Sequence, residues 1–244
     1  MKNIIRFFKT WRYWDACIAF LRDKSLGISF WQRFALLKDL YSITFAFDDI
    51  PHYQRQILDF VKAILRAPRD KPGVVIEAGC FRGVSTAKFS LAAKLAAKQL
   101  VVLDSFQGIP PNKEKHEIYS KSVTFDEGDY AASLDEVKKN ISDYGDIDSC
   151  RFVAGWFDDT LPDFTDPVAV VYLDVDLVSS TTTCLKYLWP LLEPGGVVMS
   201  QDGHLARIQE LFNDENFWRD EIGCEAPVVT YIRATQLLSV RKPV

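Results

Sequence analysis

The hydrophobic and polar positions divide the chain into two parts with different patterns. From residue 73 onward, short apolar runs alternate with segments long enough for helices. The runs read VVIEA, QLVVLD, CRFVAG, VAVVYLD, GGVVMS, PVVTYIRA and QLLSVR. Continuous apolar strands that alternate with helices are typical of a parallel sheet with both faces covered. The last two runs are too close together for a crossover helix, so the final strand is expected to pair antiparallel with its predecessor. The pattern therefore predicts a doubly wound α/β domain over residues 73–244.

Residues 1–72 show helical periodicity instead and are expected to form a helical cap or dimerisation region. The apolar residues of a first amphipathic helix recur at steps of three, four and seven: Ile4, Phe8, Trp11, Ile18 and Leu21. A second helix is predicted to begin near Asp49 and Pro51, since proline is favoured at the first helical position, and to end before Pro68. Charged residues interrupt the first helix, which argues against a membrane span. Three roles stay open for residues 1–25: packing on the domain, homodimer formation, or contact with a membrane surface.

Charge and cysteine content narrow the choice of partner and compartment. The chain has 29 basic and 33 acidic residues, a net charge of −4, which gives no electrostatic reason to expect nucleic acid as a partner. Its five cysteines are odd in number, widely scattered and without a CxxC pair. This spacing argues against a disulfide framework and a zinc site, and it favours a reducing compartment. The composition therefore predicts a cytoplasmic protein.

The loop after the first predicted strand is a candidate binding loop. It reads EAGCFRG and has two glycines, Gly79 and Gly83, whereas the dinucleotide fingerprint GxGxxG has three. A pyrophosphate ligand, and with it a nicotinamide dehydrogenase, is therefore disfavoured. Asp104 ends the second strand about twenty residues farther on, where the dinucleotide fold places the acid that binds a ribose. S-Adenosylmethionine satisfies both observations, because it has a ribose, a base and an amino-acid end but no phosphate. Glu77 is then expected to meet the methionine ammonium, directly or through the loop, and Asp104 the ribose diol.

Polar side chains also follow the next pair of neighbouring strands. Asp174 ends the run VVYLD, and Gln201 and Asp202 follow GGVVMS. Because parallel strands end at the same edge of a sheet, these three oxygen-bearing side chains are predicted to converge on Mg²⁺. A cation there would lower the pKa of a substrate hydroxyl group and orient it for attack. Asp176 is assigned to capping the following helix. His204 is a candidate general base, with a purely structural role as the alternative.

The longest stretch between strands runs from Ser105 to Ser133. It is charged and rich in turn-forming residues. Loops of this length inside a compact domain are usually lids or binding loops, so one of these two roles is predicted here.

Several segments together resemble the macrocin O-methyltransferase family of S-adenosylmethionine-dependent enzymes, which methylate sugar and phenolic hydroxyl groups of natural products. The matching segments are VIEAGCFRGVSTAKFS, LVVLDSFQGIPP, SLDEVKKNISDYG, RFVAGWFDDTLP and YLDVDLVSSTTTCLKYLWPLLEPGGVVMSQDGH. They follow one another between residues 74 and 204. The resemblance implies a Rossmann-like class I methyltransferase fold, whose sheet has seven mostly parallel strands and an antiparallel last strand.

The resemblance also implies the residues of the site. The methyl donor would be surrounded by residues at three strand ends: Glu77, Gly79, Gly83, Asp104, Ser105, Gly155 and Trp156. Asp174, Gln201 and Asp202 would hold Mg²⁺. The family usually has two adjacent acids where this chain has Gln201 and Asp202. The amide contributes a dipole in place of a charge, so a lower metal affinity is expected.

Two functions from different classes follow from the sequence. The leading hypothesis is an S-adenosylmethionine-dependent O-methyltransferase that acts on a sugar or phenolic small molecule, with the acceptor hydroxyl deprotonated at Asp174 and a bound Mg²⁺. The alternative keeps the fold but not the catalysis. It is a binding or scaffold protein whose N-terminal helix contacts a membrane or a partner, and Gln201 is the residue that motivates it.

Overall fold

A computed structural model describes residues 13–47, 52–118, 121–232 and 236–244. The predicted helical positions Ile4, Phe8 and Trp11 lie outside the described residues, and so do Asp49 and Pro51. The helices are α1 (Trp14–Arg22), α2 (Phe30–Ala46), α3 (Gln54–Arg66), α4 (Val84–Ala96), α5 (Leu134–Tyr144), α6 (Phe157–Thr160), α7 (Val178–Leu191), α8 (Ala206–Asn213) and α9 (Glu215–Phe217). The strands are β1 (Val74–Ala78), β2 (Leu100–Asp104), β3 (His116–Ile118), β4 (Lys121–Val123), β5 (Cys150–Ala154), β6 (Val168–Leu173), β7 (Leu192–Ser200), β8 (Thr230–Ile232) and β9 (Leu237–Arg241).

Seven of the described strands form one sheet in the order β5-β2-β1-β6-β7-β9-β8. The first five are parallel to one another, and β9 runs antiparallel to both β7 and β8. The predicted α/β fold, with a seven-stranded, mostly parallel sheet and an antiparallel last strand, is confirmed. All six residues of β6 are buried, as expected for a central strand covered on both faces.

The N-terminal helices form a layer on one face of this sheet. Phe60 of α3 packs between Phe89 of α4 and Tyr172 of β6, with ring centroids 4.6 and 4.9 Å away. All three side chains are fully buried. Residues 13–72 and the sheet therefore share one hydrophobic core, and the division into a cap at 1–72 and a methyltransferase domain at 73–244 stays a prediction.

Helix α3 begins at Gln54 and ends at Arg66. Its end agrees with the stop expected before Pro68. Its start is set by Gln56, whose side chain accepts the backbone N–H of Tyr53 at 2.9 Å. This bond satisfies a backbone N–H just before the first turn of the helix, as one half of a capping box does.

None of the helices in the described ranges is long and apolar enough to cross a membrane.

Candidate active site

A cavity of about 840 Å³ opens at the carboxyl ends of the parallel strands. Its walls come from the loops after β1, β5, β6 and β7 and from the long segment that connects β2 to α5. Nine of the residues singled out in the sequence line it: Gly79, Asp104, Ser105, Gly155, Trp156, Asp174, Asp176, Gln201 and His204. Glu77 and Asp202 are fully buried beneath the cavity wall, and Gly83 lies at the start of α4.

The two glycines of the first loop are required by its geometry. Gly79 has φ +82°, and a Cβ atom there would overlap the carbonyl oxygen of Asp174. Gly83 has φ +77°, and its Cβ would lie 3.0 Å from a methyl group of Val137 in α5. Glycine alone adopts such backbone angles without strain and leaves this space open. The loop after β1 is therefore held against the end of β6, where Asp174 lies.

Asp104 is fixed in place by the two loops that meet at it. Its Oδ2 accepts the backbone N–H of Cys80 at 2.7 Å, and its Oδ1 accepts that of Phe106 at 2.7 Å. Each carboxylate oxygen has two lone pairs, so each keeps one for a further donor. The carboxylate can therefore accept two hydroxyl groups from a ligand in the cavity.

Glu77 is a fully buried residue of β1 near the start of α4. Among the described residues, no group forms a well-aligned hydrogen bond to either of its carboxylate oxygens. Burial raises the pKa of Glu77 to about 8, and the nearby hydroxyl groups of Ser85 and Thr86 offset this only in part. A contact between Glu77 and a ligand in the cavity would therefore pass through the loop above it.

Three carboxyl groups converge where β6 and β7 end. One oxygen from each of Asp174, Asp176 and Asp202 lies within 4.8 Å of the other two. Burial and the neighbouring Asp174 raise the pKa of Asp176 to about 8. Burial, together with repulsion from Asp176 and Asp174, raises the pKa of Asp202 well above its ordinary value. The predicted convergence of Asp174 and Asp202 is thus seen, and Gln201 lines the same cavity.

The assignment of Asp176 to helix capping is wrong. Helix α7 begins at Val178, and its first backbone N–H groups donate to Glu114, which comes from the loop after β2. Glu114 accepts from Val178 N at 2.8 Å, and from Ser179 N and Oγ at 2.9 and 2.6 Å. Burial alone would raise the pKa of Glu114, but these hydrogen bonds and the nearby Arg207 lower it overall. An acid distant in sequence therefore fills the role expected of Asp176.

His52 was missed by sequence reasoning and contacts the site directly. Its Nε2 lies 2.6 Å from Oδ2 of Asp174, and its side chain is 4% exposed. Its Nδ1 is buried without a hydrogen-bond partner among the described residues. His52 belongs to no local motif, because its partner lies 122 residues away. The one available signal was its position directly after Pro51, at the predicted start of the second helix.

His204 lines the cavity and is half-buried. Burial lowers its pKa. It precedes α8 by two residues and is not part of that helix. A neutral imidazole facing the cavity can accept a proton, so the base assignment stays a prediction.

The segment from Ser105 to Ser133 covers the cavity. It contains a short hairpin, β3 and β4, that sequence reasoning did not predict. Apolar side chains from this segment line the cavity: Ile109, Pro110, Pro111, Ile118, Val123 and Phe125. Such a wall keeps water away from whatever binds beneath it.

Comparison with known proteins gives one family and several named relatives. The model of the macrocin O-methyltransferase family matches residues 54–233. A tetracenomycin rhamnosyl 4′-O-methyltransferase from Streptomyces olivaceus is 34% identical over an alignment of 164 residues that covers 64% of this chain and 62% of that protein. A mycinamicin III 3″-O-methyltransferase from Micromonospora griseorubida is 31% identical over an alignment of 174 residues that covers 65% of each chain. The matched part therefore spans just under two thirds of these relatives.

Solved structures agree in fold. The O-methyltransferase NovP superposes with a TM-score of 0.61 at 23% identity, over 78% of this chain and 80% of that one. A calicheamicin methyltransferase superposes with a TM-score of 0.59 at 17% identity, over 84% and 91% of the two chains. At these identities the likeness concerns the fold.

Proposed function

The chain belongs to the macrocin O-methyltransferase family, and we propose that it transfers a methyl group from S-adenosylmethionine to a hydroxyl group of a sugar carried by a natural product. One observation supports this proposal above the others. The glycine loop after β1, Asp104 after β2 and the carboxylate of Asp174 after β6 all border a single cavity. A donor at the first two and an acceptor at the third would therefore share one enclosed space.

The residues present fit S-adenosylmethionine. The cavity volume of about 840 Å³ lies within the range of small-molecule sites, about 300–1,000 Å³. Asp104 would accept the ribose hydroxyl groups with its remaining lone pairs. Five residues would contact the donor from the cavity wall: Gly79, Asp104, Ser105, Gly155 and Trp156. Glu77 and Gly83 would act from beneath, by shaping and polarising the loop.

The residues also fit a hard cation. Asp202 is fully buried, and its Oδ1 has no hydrogen-bond partner among the described residues. Leaving a buried carboxylate oxygen unpaired is costly, and a divalent cation would remove that cost. Asp174, Gln201 and Asp202 would hold it. When bound, S-adenosylmethionine supplies a methyl group on a positively charged sulfur, and Mg²⁺ would polarise the acceptor hydroxyl group.

The chain's own groups prepare the acceptor. Nε2–H of His52 donates to Oδ2 of Asp174, which leaves Oδ1 to accept the proton of the acceptor hydroxyl group. His204, on the same cavity wall, is the second candidate for that proton. The apolar residues of the Ser105–Ser133 segment would exclude water while the two reactants are held together.

The acceptor class follows from the named relatives. The S. olivaceus relative is named for a rhamnosyl acceptor, and the M. griseorubida relative for a 3″ position of mycinamicin III. We therefore place a sugar hydroxyl group first and a phenol second. All five cysteines are unpaired, which supports a reducing, cytoplasmic setting for this chemistry.

Transfer of labelled methyl groups tests the proposal. The protein is incubated with methyl-labelled S-adenosylmethionine, Mg²⁺ and a panel of rhamnosyl glycosides and phenols. Label is expected in at least one glycoside, and Asp174→Asn is expected to abolish its incorporation while the protein stays folded. Absence of labelled product from every glycoside and phenol, under conditions in which a named relative methylates its own acceptor, would contradict the proposal.

A further inference from the structure

We propose that the N-terminal end of α2 docks on an anionic lipid surface through three exposed aromatic side chains. This aromatic patch consists of Phe30, Trp31 and Phe34, which are 47%, 75% and 49% exposed. The rings meet edge to face, with centroids 5.4 Å apart between Phe30 and Trp31 and 6.4 Å apart between Trp31 and Phe34. Large apolar side chains that are grouped on a surface mark an interaction site, whereas single ones do not.

The aromatic patch is separate from the hydrophobic core. Other positions of α2 supply the apolar side chains that are buried: Leu36, Leu37, Leu40 and Ile43. A capping box fixes the first turn, since Oγ of Ser29 accepts the backbone N–H of Gln32 at 3.2 Å and Oε1 of Gln32 accepts that of Ser29 at 2.9 Å. The three rings therefore project from a helical turn that is already formed.

Basic residues border the aromatic patch on both sides, although the whole chain has a net charge of −4. Lys24 lies in the short helical turn that precedes α2, and Lys38 lies one turn after Phe34 on the same helix. Lys24, like Arg22 at the end of α1, forms no ion pair with a described residue. Lys38 lies 3.9 Å from Asp39, and both side chains are exposed, so this pair is weak.

The acidic residues of the same region are matched by arginines of α3. Asp23 pairs with Arg66 at 2.7 Å, and Asp15 pairs with Arg55. In the sequence, residues 1–12 lead directly into α1 and contain no acidic residue, but they contain four basic ones: Lys2, Arg6, Lys9 and Arg12. The charge of this end of the chain is therefore opposite in sign to that of the whole molecule, and it complements an anionic surface.

An anionic lipid surface fits this region better than a second copy of the chain does. Three side chains supply only part of the roughly 800 Å² that each partner buries in a stable complex. A symmetric dimer through the aromatic patch would also bring the bordering basic residues of two copies together. Aromatic rings flanked by basic side chains are instead typical of peripheral membrane binding, since the rings enter the headgroup region and the positive charges attract anionic headgroups.

Vesicle flotation of the full chain tests the proposal, and it needs neither methyl donor nor acceptor. The chain is expected to float with vesicles of equal parts phosphatidylcholine and phosphatidylglycerol, and much less with phosphatidylcholine alone. Trp31→Ser combined with Phe34→Ser is expected to weaken binding by about tenfold or more, because it removes most of the apolar area that would enter the lipid. Lys24→Gln combined with Lys38→Gln is expected to weaken it by about fivefold or more.

Two controls accompany these variants. Val228→Ser removes an apolar side chain that is 87% exposed and lies outside α1 and α2, and it is expected to leave vesicle binding unchanged. The urea midpoint of the aromatic double variant is expected to match that of the unaltered chain, because the substituted side chains are outside the core. Lipids with brominated acyl chains are expected to quench less tryptophan fluorescence in Trp31→Phe than in the unaltered chain.

Three results would overturn the proposal. The first is that the unaltered chain does not float with anionic vesicles. The second is equal flotation of the aromatic double variant, which would assign lipid binding to residues 1–12. The third is a dimer in analytical ultracentrifugation that the aromatic double variant separates, since the aromatic patch would then join two copies of the chain. None of these results bears on methyl transfer, which the labelling experiment tests separately.

Discussion

Asp174 is the residue on which the proposed chemistry depends most. Among the described residues, His52 is the one whose side chain forms a hydrogen bond with the carboxylate of Asp174. The ring centroid of His52 lies 6.2 Å from that of Tyr172 in β6, the strand that Asp174 follows. A carboxylate held by one oxygen presents the other in a fixed direction, which favours proton transfer. His52 is therefore a positioning residue for Asp174.

Substitution of His52 tests this role. His52→Phe removes the N–H donor and is expected to lower kcat by about tenfold or more, with little change in KM for S-adenosylmethionine. His52→Gln keeps an N–H group in a similar place and is expected to recover part of the rate. Steady-state kinetics on a glycoside accepted by the unaltered enzyme measures both effects. Equal kcat values for the unaltered, Phe and Gln forms would show that His52 does not position Asp174.

The buried carboxyl group of Glu77 is expected to make the free energy of unfolding depend on pH. Its pKa is raised from 4.5 to about 8 in the folded chain, so folding favours the protonated form. The stability linked to this group is fully present below pH 4.5 and is lost as the pH rises toward 8. Glu77→Gln is always neutral and is expected to lose less stability than the unaltered chain over this range, by a difference on the order of a few kcal/mol at the upper end.

Urea unfolding of the ligand-free chain at several pH values measures this difference. The free energy of unfolding of Glu77→Gln, relative to that of the unaltered chain, is expected to increase as the pH rises. A gap that stays constant with pH would mean that the pKa of Glu77 is not raised by burial.

At the scale of elements, the side chain of Glu114 joins the Ser105–Ser133 segment to α7. Glu114 binds the first backbone N–H groups of α7, and Arg207 at the start of α8 lies 3.9 Å from the same carboxylate. The helix and this segment therefore stabilise each other. Residues of both elements line the cavity, among them Ser179 and Ile118.

Substitution of Glu114 is expected to loosen both elements. Glu114→Ala removes the acceptor at the N-terminus of α7 and is expected to cost about 1–2 kcal/mol of stability. Hydrogen exchange is expected to rise in the Ser105–Ser133 segment and in the first turn of α7, while β1 and β6 keep their protection. Unchanged exchange in both elements would show that Glu114 does not connect them. Glu117→Ala, at an exposed position of β3, is the matched control.

The elements that were predicted well are those whose signal is local. Strands β1, β2 and β6 are apolar runs in the buried centre of the sheet, and β5 is an apolar run at its edge. The observed bounds of all four agree with the runs to within one residue. The hairpin of β3 and β4 has three residues in each strand and a largely polar sequence, so no periodicity marks it. The role of Glu114 could not be predicted either, because it acts on a helix 64 residues away.

At the scale of the whole molecule, one core joins the N-terminal helices to the sheet. Phe60 is fully buried against α4 and β6, and its loss would leave a cavity between the two layers. Phe60→Ala is expected to lower the free energy of unfolding by about 3–5 kcal/mol. Because the core is shared, circular dichroism and tryptophan fluorescence are expected to report a single unfolding transition. Two separate transitions would instead favour independent domains at 1–72 and 73–244.

The arrangement of the site could be predicted only as far as strand ends determine it. Asp104, Asp174 and Asp202 follow parallel strands, and the topology of the sheet brings such residues to one edge. His52 comes from the helical layer, and its position depends on how α3 packs on β6. The position of Asp176 beside Asp174 and Asp202 depends on how the chain turns after β6. These two depend on tertiary packing, which no local pattern of residues encodes.

Calorimetric titration with S-adenosylhomocysteine tests whether the cavity binds the methyl donor. We expect one site per chain with micromolar affinity, weakened by tenfold or more in Asp104→Ala, because that substitution removes the carboxylate that would hold the ribose. Near-normal affinity is expected in Glu117→Ala. No binding at millimolar concentration, or binding that Asp104→Ala leaves unchanged, would show that the cavity is not the donor site.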